Sequence, residues 1–158
     1  MNAAVDNPQL QNLYRELILD HATKPRNFGR LAAATHNAEG INPLCGDRLS
    51  LYLCIDAGSR IDSISFEGSG CAISLASASL LTETVKQLCV ADAQACFTAF
   101  TQRLTQGTNP EALPAAVGFD KLHALDGVRE HPSRIKCATL AWHALHAALH
   151  QQPLTTTE

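Results

Sequence analysis

The sequence predicts an α+β fold, in which a small antiparallel three-stranded sheet packs against an N-terminal helix and several C-terminal helices. Three observations predict it: helical spacing of apolar residues near the start, alternation of apolar and polar residues between about residues 35 and 66, and helical patterns after about residue 72. Strands followed by helices are typical of α+β domains. The 158 residues suit one domain, 1–158, and we expect flexible tails at 1–6 and 151–158.

The first element is a helix. Asn7 can cap its N-terminus and Pro8 suits its first turn. Residues at helical spacing form one face that we expect to be buried, namely Leu10, Leu13, Tyr14, Leu17, Ile18 and His21. The segment 24–29, which contains proline and glycine, ends this helix.

The strands come next. Leucine or isoleucine occupies every second position from Leu49 to Ile55, which indicates a strand with one buried face. A turn at 57–59 and a second apolar pattern at 61–66 predict a β-hairpin with that strand. Residues 35–41 are a weaker third candidate, and they complete the predicted sheet.

Helical patterns fill most of the remaining chain. The sequence predicts helices at about residues 72–88 and 92–105, a break at 107–110, a short helix near 119–125 and a last helix that begins after 131–133 and runs to about residue 150. His143, His146 and His150 share the polar wedge of this last helix, so we expect them to face solvent rather than to bind a metal.

Composition and charge exclude several functional classes. The formal net charge is −3 and the sequence pI is about 6.1. This balance argues against nucleic acid or an anionic membrane surface as a partner, because both require clustered Lys and Arg. Apolar runs fall short of the roughly 18 residues of a membrane span, and the N-terminus has no signal-peptide pattern. We therefore expect a cytoplasmic protein with reduced thiols.

Three of the six cysteines lie at the ends of predicted elements. Cys45 precedes the first buried strand, Cys71 lies between a strand and a helix, and Cys137 falls in the first turn of the last helix. The N-terminus of a helix favours a thiolate, so these positions suit chemistry. The other three cysteines have the surroundings of packing residues, namely Cys54, Cys89 and Cys96.

A shared metal site is one interpretation of the three cysteines, and three separate buried thiols are the other. Spacings of 26 and 66 positions do not decide between them. Asp47 favours the metal, since a carboxylate two residues after Cys45 can face the same ion. Three thiolates and one carboxylate form a four-coordinate set that suits Zn²⁺ or iron–sulfur chemistry. His131 is the reserve ligand in place of Asp47.

Five motifs resemble the iron–sulfur cluster scaffold family, the NifU-like N-terminal domain. They are Leu-Tyr-Arg-Glu-Leu-Ile-Leu-Asp-His at 13–21, Lys-Pro-Arg-Asn-Phe-Gly at 24–29, Asn-Pro-Leu-Cys-Gly-Asp at 42–47, Gly-Ser-Gly-Cys-Ala-Ile-Ser at 68–74, and Arg-Ile-Lys-Cys-Ala-Thr-Leu-Ala-Trp at 134–142. The resemblance extends from about residue 13 to 150. It implies the fold of this family and a role in iron–sulfur cluster assembly.

Departures from the common pattern are similar to the SUF-system branch, the SufU-like proteins. Lys136 stands where ordinary scaffolds have histidine, the segment 90–129 is expanded, and 130–134 lacks the family's chaperone motif. The resemblance implies a sulfur relay that binds Zn²⁺ and acts with a SUF-type cysteine desulfurase and with downstream cluster-assembly proteins. The alternative is a scaffold that carries a labile [2Fe–2S] cluster or iron. A purely structural zinc domain is a third hypothesis.

Residue roles follow from this resemblance. The implied metal ligands are Cys45, Asp47, Cys71 and Cys137. Cys45 is the candidate sulfur acceptor, because its loop contains Gly46 and can move. Arg134 and Lys136 are candidates for supporting charge near Cys137, and ordinary solvated side chains are the alternative interpretation.

Overall fold

The computed structural model describes residues 8–106 and 119–156, with side chains described from residue 11 to 106 and from 121 to 156. The predicted cap Asn7, the expected tail 1–6 and the side chain of Leu10 lie outside this part. The elements in chain order are α1 (Pro8–Thr23), β1 (His36–Asn42), β2 (Asp47–Ile55), β3 (Ile61–Ser69), α2 (Ala72–Val85), α3 (Val90–Gln106), a 3₁₀ helix (Phe119–Glu130), α4 (Pro132–Leu149) and β4 (Leu154–Thr156).

The sheet has four strands in the order β3-β2-β1-β4. β2 pairs antiparallel with both β1 and β3, which confirms the hairpin and the weaker candidate strand. The prediction of three antiparallel strands is wrong by one strand, because β4 pairs parallel to β1. β4 lies within 151–158, where the sequence led us to expect a tail. It is held by backbone pairing, which begins with the Glu39 N–H donating to the Pro153 carbonyl at 2.9 Å.

The core lies between one face of the sheet and helices α2 and α4. The alternating residues of β2 and β3 are buried on this face as expected, namely Leu49, Leu51, Leu53, Ile61, Ile64 and Phe66. Trp142 of α4 is fully buried and packs on Phe100, with ring centroids 4.9 Å apart. Helix α4 packs closely on the sheet at Gly40, where an added Cβ would lie only 3.1 Å from Leu140 Cδ1.

The apolar face of α1 is only partly buried. His21 is buried and its Nδ1 lies 2.7 Å from Ser79 Oγ of α2, whereas Leu13 is 60% exposed. The face predicted from helical spacing therefore contacts the core at its C-terminal end and not at Leu13. None of the helices in the described ranges combines the length and apolar content that crossing a membrane requires.

Helix α3 and the 3₁₀ helix cover the remaining side of α4. A buried, bidentate ion pair joins them, in which the Arg103 guanidinium donates to the Asp126 carboxylate at 2.7 and 2.6 Å. The expectation that the α4 histidines face solvent is wrong for His146, whose ring stacks on Phe97 with centroids 4.8 Å apart. His143 contacts the same ring edge-on. The reason is tertiary: α3 packs over this wedge of the helix.

Candidate metal centre

The hairpin between β1 and β2 places the first cysteine at its tip. Asn42 and Asp47 are cross-strand partners, and the Asn42 carbonyl accepts hydrogen bonds from the N–H groups of Cys45 and Gly46. Gly46 has φ of +72°, a left-handed conformation that glycine adopts without steric cost. The turn leaves Cys45 exposed and Leu44 70% exposed. The thiol of Cys45 is thus open to a partner.

Asp47 connects this hairpin to the start of α2. Its buried carboxylate accepts a hydrogen bond from the Cys71 backbone N–H at 3.0 Å and one from the Ser74 hydroxyl at 2.6 Å. Cys71 lies between β3 and α2, as the sequence predicted, and occupies the N-cap position of α2. Gly70 makes the approach possible, since a Cβ there would lie 2.7 Å from Asp47 Oδ1. The carboxylate is therefore fixed in position by helix α2.

Cys137 supplies a thiol from the opposite side. Because α4 begins at Pro132, Cys137 lies in the second turn and not in the first, and it is buried. Its Sγ lies 3.5 Å from Cys45 Sγ and 3.7 Å from Asn42 Nδ2. The ligand atoms of Cys45, Asp47 and Cys137 all lie within 4.8 Å of one another.

Cys71 lies at the edge of this group. Its Sγ is 3.6 Å from the hydroxyl of Ser74, which also contacts Asp47, and its thiol interacts with that of Cys137. The fold thus brings together all four side chains that the sequence proposed as ligands. Three of them meet the distance expected of a metal group, and Cys71 adjoins the group through Ser74.

Burial and hydrogen bonding act differently on the two inner thiols. Burial raises the pKa of Cys137 far above its ordinary value, and the Asp47 carboxylate and the Cys45 thiol raise it further. Burial also favours the neutral form of Cys71, but hydrogen bonds with the backbone and hydroxyl of Ser74 outweigh this effect and lower its pKa. The expected preference for thiolate at a helix N-terminus therefore applies to Cys71 and not to Cys137.

The donor set fits a soft divalent cation. Three sulfur atoms and one carboxylate match the ligands of Zn²⁺, and thiolate sulfur is equally the ligand of iron–sulfur clusters. A cation among these groups would reverse the effect of burial on Cys137, because a coordinated thiol is deprotonated outright. The buried Asp47 is already oriented by two donors, as ligands of metal sites commonly are.

The candidate supporting residues lie at the start of α4. Arg134 is exposed and Lys136 is half-buried, and within the described residues neither side chain has a hydrogen bond or ion pair with the four candidate ligands. His131, the reserve ligand, is exposed at the N-cap position of α4, and it is not part of the group of ligand atoms around Asp47. The supporting roles of Arg134 and Lys136 and the ligand role of Asp47 all stay predictions, and of these three residues only Asp47 lies in the group of ligand atoms.

Sequence reasoning missed two residues that build the centre, Asn42 and Ser74. Both are fully buried polar residues, and both lie inside motifs that had been singled out for their cysteines. The signal that could have identified them is their position, since each is a polar residue inside a motif that contains a candidate ligand cysteine. The side chain of Asn42, however, contacts Cys137 at 95 positions along the chain, and that of Ser74 contacts Asp47 at 27 positions.

The other three cysteines lie apart from the centre. Burial raises the pKa of Cys96 to about 12, so that its thiol is inert. Cys54 is half-buried, and its thiol donates to the Ala33 carbonyl at 3.2 Å. Cys89 is half-buried, and its backbone forms an isolated antiparallel β-bridge with that of Arg60. All six cysteines are free thiols in the structure.

Comparison with known proteins shows the family of this chain. The family model of the NifU-like N-terminal domain matches residues 13–124. The chain belongs to this family. It is 39% identical over 139 residues to the zinc-dependent sulfurtransferase SufU of Bacillus subtilis (strain 168), a match that covers 88% of this chain and 90% of that protein.

Two further proteins are similar to this NifU-like domain, one by sequence and one by structure. The iron–sulfur cluster assembly scaffold protein IscU of Streptococcus pyogenes serotype M1 is 36% identical over 141 residues, which covers 89% of this chain and 85% of the relative. The crystal structure of the SUF-system protein FiSufU from Fervidobacterium islandicum AW-1 superposes with a TM-score of 0.74 at 29% identity, over 85% of this chain and 94% of the other. The fold is therefore that of SufU and related scaffolds.

Proposed function

We propose that this protein accepts sulfur from a SUF-type cysteine desulfurase and delivers it to iron–sulfur cluster assembly, with Zn²⁺ held by Cys45, Asp47, Cys71 and Cys137. The observation that carries the proposal is the exposed thiol of Cys45, whose Sγ lies 3.5 Å from the buried Cys137 thiol within the candidate metal group. The match to a zinc-dependent sulfurtransferase over 88% of the chain supports it.

The reaction is an exchange between a thiolate and a persulfide. The Cys45 thiolate attacks the outer sulfur of the persulfide on the desulfurase, and a new S–S bond forms on Cys45 while the S–S bond of the donor breaks. The desulfurase cysteine leaves as a thiolate, so the exchange requires no external oxidant or reductant. Cys45 suits this step because the exposed hairpin tip can enter a partner's pocket, whereas Cys137 is buried.

The metal, when bound, keeps its thiol ligands deprotonated. The chain's own residues do the rest. Ser74 and the Cys71 N–H hold the Asp47 carboxylate, and Gly46 gives the Cys45 loop its left-handed turn. Helices α2 and α4 thus hold Cys71 and Cys137, while Cys45 lies on the exposed tip of the β1–β2 hairpin.

The second candidate function is a scaffold on which a [2Fe–2S] cluster is assembled and passed on. The similarity to IscU and the sulfur-rich donor set favour it. Lys136 speaks against it, because a lysine beside Cys137 is a charged donor at neutral pH and a poor ligand. For either function we expect a cytoplasmic location, where cysteines are kept reduced.

Metal analysis together with an absorption spectrum tests the choice of occupant. For protein purified without chelator, the proposal expects about one Zn²⁺ per chain, as in a four-ligand site, and no visible absorption. A cluster that survives gel filtration in the protein as isolated would favour the scaffold. A structural zinc domain would retain sulfur transfer in the Cys45→Ser variant, which the proposal does not allow.

A further inference from the structure

Asn42 is not one of the proposed metal ligands, but its backbone and its side chain contact three of them. It is the last residue of β1 and is 0% exposed. Its backbone pairs with Asp47, and its carbonyl accepts the N–H of Cys45, so the strand end shapes the hairpin. Its side chain reaches a third ligand candidate, since Nδ2 donates to Cys137 Sγ at 3.7 Å.

The side-chain amide of Asn42 is only half satisfied, because in the described part of the chain its N–H group has a partner and its oxygen has none. Asn42 Oδ1 is buried and has no hydrogen-bond partner among the residues that the structure describes. A buried acceptor without a partner lowers the stability of the fold. An apolar residue of similar shape would avoid this penalty, so the amide is explained by what its N–H does. That N–H is directed at the sulfur of Cys137.

We propose that Asn42 is a positioning residue, which holds the Cys137 sulfur in the metal centre through an N–H···S hydrogen bond. The proposal rests on the metal-binding part of the proposed function. A sulfur that accepts this bond is fixed in orientation and is a weaker nucleophile. Within the described residues, Cys45 Sγ accepts a weak hydrogen bond from the Cys137 thiol and none from an N–H or O–H group. The bond therefore separates a fixed ligand, Cys137, from the thiol that remains free to react.

The decisive variant is Asn42→Leu, which keeps the approximate shape of the side chain and removes the donor. We expect its metal-free form to be at least as stable as wild type, because the unpartnered Oδ1 is also removed. We expect its affinity for Zn²⁺, measured by competition with a chromophoric chelator, to fall about ten- to a hundredfold, the usual effect of losing a group that orients a ligand. A purely structural role would instead lower stability and leave the affinity of folded protein unchanged.

Cobalt provides a spectroscopic readout that stability does not move. A hydrogen bond lowers the energy of sulfur lone pairs, so the sulfur-to-cobalt charge-transfer band of the Co²⁺-loaded Asn42→Leu variant should lie at longer wavelength than in wild type. Asn42→Ala should shift it in the same direction and serves if the leucine variant does not fold. Asn37→Ala changes an exposed asparagine of the same strand and is the matched control.

The outcomes separate this inference from the proposed function. If wild type binds Zn²⁺ and Co²⁺ but the Asn42 variants bind them with the same affinity and the same band position, the role of Asn42 is refuted and the metal centre stands. If wild type binds neither metal, the proposed metal centre fails, and the positioning role fails with it. A weaker affinity together with the shifted band supports the inference.

Discussion

The Ser74 hydroxyl donates a 2.6 Å hydrogen bond to Oδ2 of Asp47, and both residues are buried. This bond joins the start of β2 to the first turn of α2. The other oxygen of the same carboxylate accepts a hydrogen bond from the Cys71 N–H, so Asp47 is held in position before any metal binds. The contact between the sheet and helix α2 thus fixes the orientation of the Asp47 carboxylate.

Removing the Ser74 hydroxyl tests this arrangement. Ser74→Ala leaves a buried carboxylate oxygen without its donor, so the free energy of unfolding should fall by about 1–3 kcal/mol. Zn²⁺ affinity should fall as well, because Asp47 loses part of its orientation. Chemical denaturation and chelator competition measure the two effects. Ser63→Ala on β3 is the control, and equal values for the two variants would contradict the role of Ser74.

The buried pair of Arg103 and Asp126 is expected to carry the contact between α3 and the 3₁₀ helix. Asp126→Asn removes the negative charge from this buried bidentate pair, which should lower the free energy of unfolding by about 3–5 kcal/mol. Glu39→Gln breaks an exposed pair with Arg48 and should change it by at most about 1 kcal/mol. Urea denaturation compares them, and a similar small effect of both would show that the buried pair is not an anchor.

Much of the fold could be predicted because its signals are local. The alternation from Leu49 to Ile55 reports which residues face the core, and the structure buries the expected ones. β4 could not be found this way, since three residues carry no period and the strand is held by backbone pairing with β1. His146 was placed in solvent because a helical wheel does not include the neighbouring helix that supplies Phe97.

The site was predictable to a similar depth. Cys45, Asp47 and Cys137 are recognisable by type and motif, and the fold places their ligand atoms within 4.8 Å of one another, while their role as ligands stays a prediction. The roles of Asn42 and Ser74 were not visible, because each depends on a partner that only the tertiary structure brings near. The position of Cys137 in the second turn of α4 also depended on where that helix begins, which sequence patterns place within a few residues.

The histidines under α3 should make stability depend on pH. Burial lowers the pKa of His143 and of His146 below the ordinary value. As the pH falls through about 6.5, the unfolded chain therefore binds protons before the folded chain does, and folding becomes less favourable. The loss stops growing once the pH is below the lowered pKa values of the folded state.

His143→Gln removes one of these groups. Relative to wild type, the variant should gain stability at pH 5 compared with pH 7.5, whatever constant offset the lost contact with Phe97 adds. Urea denaturation across this range, with chelator present so that metal binding does not contribute, measures the difference. Parallel stability curves for variant and wild type would contradict the assignment of the pH dependence to His143.

The central claim is that Cys45 takes sulfur from a persulfide. The most direct test incubates the full chain with a SUF-type cysteine desulfurase and cysteine, alkylates the products and identifies the modified peptides by mass spectrometry. We expect a gain of one sulfur, about 32 Da, on the peptide that contains Cys45. Cys45→Ser should lose transfer, whereas Cys54→Ser, which changes a thiol bonded to the Ala33 carbonyl away from the centre, should remain near wild type. Sulfur found only on Cys71 or Cys137, or a Cys45→Ser variant that stimulates the desulfurase as well as wild type does, would contradict the account.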